Sequence, residues 1–476
     1  DGTNSTLDFR EKAPAAYHQD VFLDSTGEVI RNKSLFTVFA AGVPGSVAGM
    51  WQMHSKYGKL PWADLLTPAI RLAEEGFTLS QSHCKRLNEY RHYFEGHNLS
   101  GARYLMKPAE DWQEGELLVQ TDLATLLKEI AQRGRDGFYS GANASRLTEL
   151  VQQRGGLMTK EDLKSYKAVW RKPYEFEFDG HQIVSMPLPS SGGVLLHQIL
   201  RGATLLDVDL NALSREEYVH LFAELERRAY ADRTEHLGDP DFAKNDLAWL
   251  TSDDYILDRV YKIEGNKASI SDSILPGEAP YESMETTHFS VIDQYGNAVS
   301  ITTTINAAYG SRIFVPDMGY VLNNEMDDFS AKPGTPNFFG LLGTEANAVV
   351  GGKRPLSSMT PTIVLENGDV KAIIGSPGGS TIITTVLQMV LNVTTHNMGV
   401  EEAVAAPRFH HQWKPDRIVL EERSLDSALI AYLLNLGHDI DTFGQLGNVN
   451  ALMVDEEGNV TIGADPRAEN AYSTFR

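Results

Sequence analysis

The 476-residue sequence predicts a layered α+β fold, and three observations carry that expectation. Residues 44 to 262 read mainly as helices. The residues from 286 onward open on a hairpin and continue with further strands. Between them, residues 264–285 (EGNKASISDSILPGEAPYESME) are rich in Gly, Ser, Pro and Glu with no apolar period, and read as an exposed, flexible connector. Helices early and strands late, each apolar on one face, bury those faces against one another in layers.

Taken in order, the first clear element is strand-like, Glu175 to Met186. It ends at Pro-Leu-Pro-Ser-Ser-Gly-Gly (187–193) and a helix-like run follows. A helix is predicted from Ser214 to about Asp232: Ser214 and Glu217 have capping-box spacing, and Tyr218, Leu221, Phe222, Leu225 and Ala229 fall on one face. After the connector, HFSVID, the turn Gln-Tyr-Gly-Asn and AVSITTTI form a hairpin signal. Phe289, Val291, Val299 and Ile301 are expected to face a buried sheet interior. Strands are expected at Tyr320–Asn323, Thr362–Glu366 and Val370–Gly375, and a helix from about Ser380 to Asn392. There is no internal repeat.

Composition narrows the function. With 42% hydrophobic and 22% charged residues the chain is an ordinary globular protein. Its formal charge of −22 repels phosphate backbones and anionic lipid, which argues against nucleic-acid partners and membrane docking. A single cysteine, Cys84, forbids an intrachain disulfide and reads as a small buried hydrophobe. No apolar run reaches the 18 or so residues of a membrane span. The sequence opens at Asp1-Gly-Thr-Asn, with no charged-then-apolar leader, so any targeting peptide is absent from it and is not thereby excluded.

Three features carry potential chemistry. Thr286-Thr287 stands where the connector meets a strand. A threonine hydroxyl needs a base beside it, and a cut before Thr286 would free the residue's own α-amine for that role; two β-formers opening a strand would look the same. Gly375-Ser-Pro-Gly-Gly-Ser380 lies between a strand and a helix, where bare backbone N–H groups suit an anion or an oxyanion. The loop lacks the Gly-Lys-Ser/Thr ending of a nucleotide-binding loop, and a plain tight turn remains open. Asn323-Asn-Glu-Met-Asp-Asp328 and Arg354-Pro-Leu-Ser-Ser358 place carboxylates, a guanidinium and hydroxyls in apolar surroundings, suited to the two ends of an amino acid, although each alone reads as a strand-end turn. His410-His411 has no further ligand at metal spacing and reads as structural; nothing supports a metal or cofactor.

The order of these features resembles one family. TTHFSVIDQYGNAVSITTTIN, GYVLNNEMDDFSAKPGTPN, KRPLSSMTPTIV, IGSPGGSTIITTVLQMVLN and APRFHHQW are similar to small-subunit segments of γ-glutamyltranspeptidases (glutathione hydrolases). DFREKAP, GGLMTKEDLKSY and MPLPSSGG are similar to large-subunit segments. The likeness is colinear over nearly the whole chain. It implies the N-terminal-nucleophile (Ntn) hydrolase fold, a four-layer αββα sandwich with two stacked antiparallel sheets. It also implies self-cleavage into a large-subunit portion, 1–285, ending in the connector 264–285, and a small catalytic subunit, 286–476.

Carried over by position, Thr286 resembles the nucleophile and new N-terminus, Thr304 the residue whose hydroxyl supports it, and Gly378 and Gly379 the oxyanion hole. Arg10, Ser357 and Ser358 resemble the clamp on a substrate α-carboxylate, and Asn306, Glu325 and Asp328 the contacts to its α-amino group. The implied substrates are glutathione and other γ-glutamyl compounds, with water, amino acids or short peptides as acceptors and no cofactor. The implied setting is periplasmic or extracellular. A glutaryl or cephalosporin acylase on the same fold, and an unprocessed binding homologue, are the alternatives. Two departures stand out. The family's large subunit begins well before the Asp8-Phe-Arg-Glu segment, with a leader and a glycine-rich strand region not present in this sequence. Residues 333–345 resemble the lid loop, but carry Phe339 where several bacterial relatives have a tyrosine, which implies a looser lid and relatively more hydrolysis than transfer.

Overall fold

A computed structural model describes residues 2–30, 32–97, 104, 105, 107, 110–274 and 286–467. The strands that position the site are β1 (Tyr174–Phe178), β2 (His181–Ser185), β3 (Thr286–Ile292), β4 (Ala298–Thr304), β5 (Thr362–Glu366), β6 (Asp369–Ile374), β7 (Asn450–Val454) and β8 (Val460–Ala464). Six of them form an antiparallel sheet in the order β8-β7-β6-β5-β2-β1, and β3 and β4 form a two-stranded antiparallel ribbon that stacks across β5, β6 and β7. The sheet carries helices α1 (Gly192–Leu205), α3 (Thr381–Thr394) and α4 (Val400–Ala405), with α2 (Arg215–His236) packed outside α1. The α+β class and the stacked antiparallel sheets are as expected.

Successive strand residues point to opposite faces, so the full burial of Ala372, Ile373 and Ile374 in β6 requires that both faces be covered. On the helix side, Val194, Ile199, Val386, Leu387 and Val390 meet Ile183, Val364, Ala372 and Ile374 in one core. Each such side chain contributes about 1.5–3 kcal/mol on leaving water. Helix α3 is buried all round, as its sequence TIITTVLQMVLNVT requires. Its threonines are satisfied locally: Thr394 Oγ1 donates to Val390 O at 2.8 Å, and Thr384 Oγ1 bonds His410 Nδ1 at 2.8 Å.

Three expectations are corrected. The segment read as one strand from Glu175 is the hairpin β1–β2, turned by Asp179 (φ 49°) and Gly180 (φ 76°), the pair of left-handed residues that a two-residue Asp-Gly turn needs. Tyr320–Asn323 forms no strand, only a bridge between Phe314 and Val321, because the facing segment is kinked by left-handed Tyr309 (φ 57°) and Arg312 (φ 60°) and cannot continue a regular ladder. The ribbon faces the opposite way from its hydrophobic pattern. Phe289 and Val291 are exposed, while His288 and Thr302 are buried, since the inward hydroxyls of Ser290 and Ser300 bond the carbonyls of Asn450 and Ile374 at 3.1 Å each.

The described part of the connector, 264–274, is largely exposed and is anchored at Ala268 and Ser271: Ala268 N donates to Leu436 O at 2.7 Å, Ser271 N to Asp416 Oδ2 at 2.7 Å, and Trp413 Nε1 to Ser271 O at 3.2 Å. Residues 275–285 lie outside the described ones. Cys84 is buried among Leu79, Leu87 and Phe94. Among the described residues no helix is long and apolar enough to cross a membrane.

Candidate active site

Thr286, the first residue of β3, lies directly opposite Thr304, the last of β4. Opposed residues of an antiparallel pair share a face, and here the Thr286 hydroxyl donates to Thr304 Oγ1 at 3.2 Å. Thr304 Oγ1 also accepts the N–H of Asn306 at 2.8 Å. Asn306 is left-handed (φ 74°), a conformation Asn tolerates, and this turn aims its Nδ2 at Asn324 O, 3.0 Å away. Register and turn together carry the chain from the threonine pair to the 3₁₀ turn Glu325–Asp328.

At that turn the guanidinium of Arg10 is buried between two carboxylates, reaching Glu325 Oε2 at 2.5 Å and bonding Asp328. Its Nε and Nη2 also donate to the carbonyls of Pro355 and Leu356, at 3.4 and 3.5 Å, which brings it beside Ser357. Burial raises the carboxyls of Glu325 and Asp328 above the usual range against the pull of Arg10. Burial would lower Arg10, but the carboxylates outweigh it and hold it above the ordinary guanidinium value. Neighbouring Glu11 is pushed up to about 7, again chiefly by burial. A guanidinium and two carboxyls are thus concentrated in a buried site, where electrostatic interactions are stronger than in water.

Ser357 is buried and its Oγ accepts the N–H of Met359 at 3.1 Å; Ser358 Oγ accepts from Arg233 Nη2 at 3.3 Å. The glycine loop between β6 and α3 holds Gly378 at φ 143° and Gly379 at φ 56°, conformations that side chains disfavour. No described acceptor receives the N–H of either glycine. The loop is held from below, where Asn450 N donates to Gly375 O at 3.1 Å and Asn450 Nδ2 to His288 O at 3.0 Å, tying it to β3 two residues after Thr286. From above, the Phe339 ring covers Gly379: a Cβ there would stand 2.7 Å from the ring. The lid is pinned by its backbone and by Asn337, whose Oδ1 accepts the N–H groups of Phe339 and Leu341 at 3.0 Å each and whose Nδ2 donates to Asp328 Oδ1 at 3.3 Å.

All ten positions named from the sequence therefore fall in one contiguous region. The arrangement presents a threonine hydroxyl at a strand start, a glycine pair whose N–H groups meet no acceptor among the described residues, and a buried cluster of one guanidinium and two carboxylates with the charge types to hold a zwitterion. Sequence reasoning missed Arg233 and gave no separate role to Asn324, Asn337 or Gln412, the last donating to Phe339 O at 3.0 Å. Arg233 gave no signal because a charged position on a helix reads as solvent-facing.

One described grouping, His220, Glu224 and His438, offers three ligand atoms within 4.8 Å of one another. Its lone pairs are already used. His220 Nε2 faces Glu264 O at 2.8 Å and must carry a proton, so its Nδ1 accepts from His438 Nε2 at 2.7 Å. Glu224 is paired with Arg227 and Arg228. The donor set suits a hydrogen-bonded clasp and not a cation. His410 and His411, lowered by burial to about 4 and about 3, are likewise neutral structural groups.

The sequence profile of the gamma-glutamyltranspeptidase family matches residues 1–475. The chain belongs to that family. Glutathione hydrolase proenzyme of Escherichia coli K12 is 43% identical over 468 residues, covering 98% of this chain and 80% of that protein; the Pseudomonas aeruginosa proenzyme is 42% identical, covering 98% and 83%. Among solved structures, a cephalosporin acylase from Bacillus halodurans superposes with a TM-score of 0.85 at 21% identity, covering all of this chain and 86% of that one, which speaks for the fold alone. The gamma-glutamyltranspeptidase of Helicobacter pylori matches with a TM-score of 0.55 at 41% identity, over 58% of this chain and 79% of its own. As a gamma-glutamyltranspeptidase homologue the chain is an enzyme of the Ntn-hydrolase class.

Proposed function

We propose that this chain matures by cutting itself before Thr286 and then transfers γ-glutamyl groups from glutathione and related amides to water, amino acids or short peptides. The observation that carries the reading is the threonine pair at the start of β3, hydroxyl to hydroxyl at 3.2 Å, connected through Asn306 to a buried Arg10–Glu325–Asp328 cluster.

In maturation, Thr286 Oγ attacks the carbonyl carbon of residue 285. The C–N bond breaks, and water hydrolyses the resulting ester. This frees the α-amine, whose unperturbed pKa near 8 suits a general base. In turnover the same Oγ attacks the γ-carbonyl while the amine takes its proton. The N–H groups of Gly378 and Gly379 receive the oxyanion, each such donor being worth roughly 3–4 kcal/mol. The amine product leaves, and the γ-glutamyl ester passes to water or to an acceptor amine in a ping-pong cycle.

Substrate recognition is an exchange of partners. Arg10 is neutralised by Glu325 and Asp328 in the structure. An incoming α-carboxylate takes Arg10, Ser357 and Ser358, while the α-ammonium takes Asn306, Glu325 and Asp328. A zwitterion can replace the internal pair without stranding a charge; a substrate with only one of the two groups cannot. That favours γ-glutamyl over glutaryl or cephalosporin side chains, whose acyl groups lack the amine. Family likeness supports a periplasmic or extracellular setting.

The deciding experiment is intact mass with N-terminal sequencing of the wild type beside Thr286→Ala. The expected wild-type product is a 191-residue fragment beginning Thr-Thr-His-Phe, absent from the variant. A single uncut wild-type chain removes the catalytic assignment. Faster turnover of glutaryl than γ-glutamyl p-nitroanilide moves the enzyme to the acylase reading.

A further inference from the structure

We infer that Arg233 is a specificity-determining positioning residue, the second cation of the α-carboxylate pocket, acting through Ser358. The inference rests on the γ-glutamyl reading above and adds to it a residue from the large-subunit portion that neither the motifs nor the comparisons assign.

Arg233 lies in the last turn of α2 and is 4% exposed. Buried arginines are ordinarily paired with carboxylates, and other buried arginines here follow that rule: Arg228 pairs with Glu224, Arg408 with Asp465, and Arg467 with Glu421. Arg233 does not. Among the described residues no carboxylate lies within ion-pair distance, and its two hydrogen bonds go to hydroxyls: Nε to Ser191 Oγ at 3.0 Å and Nη2 to Ser358 Oγ at 3.3 Å. Ser191 is itself fixed, its Oγ donating to Ser357 O at 2.9 Å, so the guanidinium is clamped to the backbone of the serine pair. Burial pushes the group down to about 10; Tyr230 and Asp328 pull it back and Arg10 adds to the fall, so it stays charged at neutral pH.

The hydrogen-bond directions give this clamp a purpose. A guanidinium can only donate, so Ser358 Oγ must accept from it, as Ser357 Oγ accepts from Met359 N. Each hydroxyl then has its own hydrogen left to offer, and an acceptor with two oxygens is the natural recipient. A full positive charge behind Ser358 strengthens that donation, and both internal carboxylates contact Arg10 instead of this second cation. An α-carboxylate held by the two hydroxyls brings a negative charge close to it. A neutral carboxamide of the same shape does not.

The test uses the mature enzyme with L-γ-glutamyl-p-nitroanilide and the same anilide with its α-carboxylate capped as a carboxamide. For Arg233→Met we expect KM for the carboxylate substrate to rise about 30-fold or more with kcat changed less than about 3-fold, as loss of a charge-assisted contact implies. Over the same substitution, kcat/KM for the carboxamide should change less than about 3-fold. The effect should shrink in a Ser358→Ala background, because the two residues act as a unit. Arg233→Lys, which keeps the charge without the fork, should recover part of the discrimination. Equal losses on both substrates, or no loss on either, would overturn the inference. If Arg233→Met does not mature, Ser191→Ala replaces it: it releases Nε and the bond to Ser357 O while leaving the Nη2–Ser358 bond, and a KM rise confined to the carboxylate substrate supports the inference while an equal effect on both refutes it. A wild type that ignores γ-glutamyl anilides defeats the parent reading instead, before any variant is compared.

Discussion

Replacing Gly375 by alanine tests the link between β3 and the glycine loop. Gly375 follows β6, and the imidazole of His288 lies directly on its Cα: an added Cβ would stand 2.1 Å from Cε1 and 2.2 Å from Nδ1. No backbone strain is involved, so space alone decides the cost. His288 cannot simply swing away, because it is buried and held by Thr302 Oγ1 at 2.8 Å and Ser290 Oγ at 3.1 Å. Moving it breaks two hydrogen bonds of about 1 kcal/mol each, and overpacking adds about 1–3 kcal/mol. The expected loss is therefore about 3–5 kcal/mol, a large part of a normal folding free energy. The assay is urea unfolding in the Thr286→Ala background, where every molecule is one uncut chain. Gly444→Ala, with open space around it, serves as control and should cost under about 0.5 kcal/mol. Because β3 must shift to relieve the clash, maturation of the otherwise wild-type chain should slow about 100-fold, as a displacement near 1 Å implies. His288→Ala should restore part of both. A Gly375→Ala protein with the stability and maturation rate of the parent would refute this account of how Thr286 is held over the loop.

Two further outcomes follow from the same region. Burial pushes Asp327 up to about 7 from an ordinary 3.8, against the bonds from Ser34 and the Phe338 N–H. The folded protein keeps this proton while the unfolded chain releases it, so stability should fall as pH rises from about 4 to about 7, by up to about 4 kcal/mol, and level off above. Asp327→Asn should flatten that window in a pH series of unfolding midpoints; an unchanged slope removes the assignment. Phe339→Tyr gives the lid a hydroxyl donor, and one added hydrogen bond of about 1 kcal/mol should raise the transfer-to-hydrolysis ratio about 5-fold, measured with glycylglycine as acceptor. A ratio equal to the parent's sinks the lid argument.

Local chemistry was legible wherever a short-range rule decides the conformation. Ser214 and Glu217 form the capping box their spacing announces. The hairpin, β5 and α3 lie where turn residues and apolar runs put them, because the backbone there satisfies its own hydrogen bonds nearby. The colinear motifs likewise located Thr286, the glycine pair and the charged turn. The direction a face points was not legible. The apolar side of β3–β4 looks outward and its hydroxyls look in, since stacking on β6 and β7 rewards groups that can bond exposed strand carbonyls. Helix α2 shows the same limit: Glu224, Glu226, Arg227, Asp232 and Arg233 are all buried in it.

The sequence by itself determined the fold class, through the patterning of its segments, and the family, through its colinear motifs, because both are read from the order of residues along the chain. Only the tertiary structure decided that Arg10 reaches Glu325 across 315 positions, that Arg233 stands behind Ser358 across 125, and that His288 occupies the space above Gly375. Contacts between residues so far apart depend on how whole layers dock, and layer docking is a property of packed shape that no local pattern encodes.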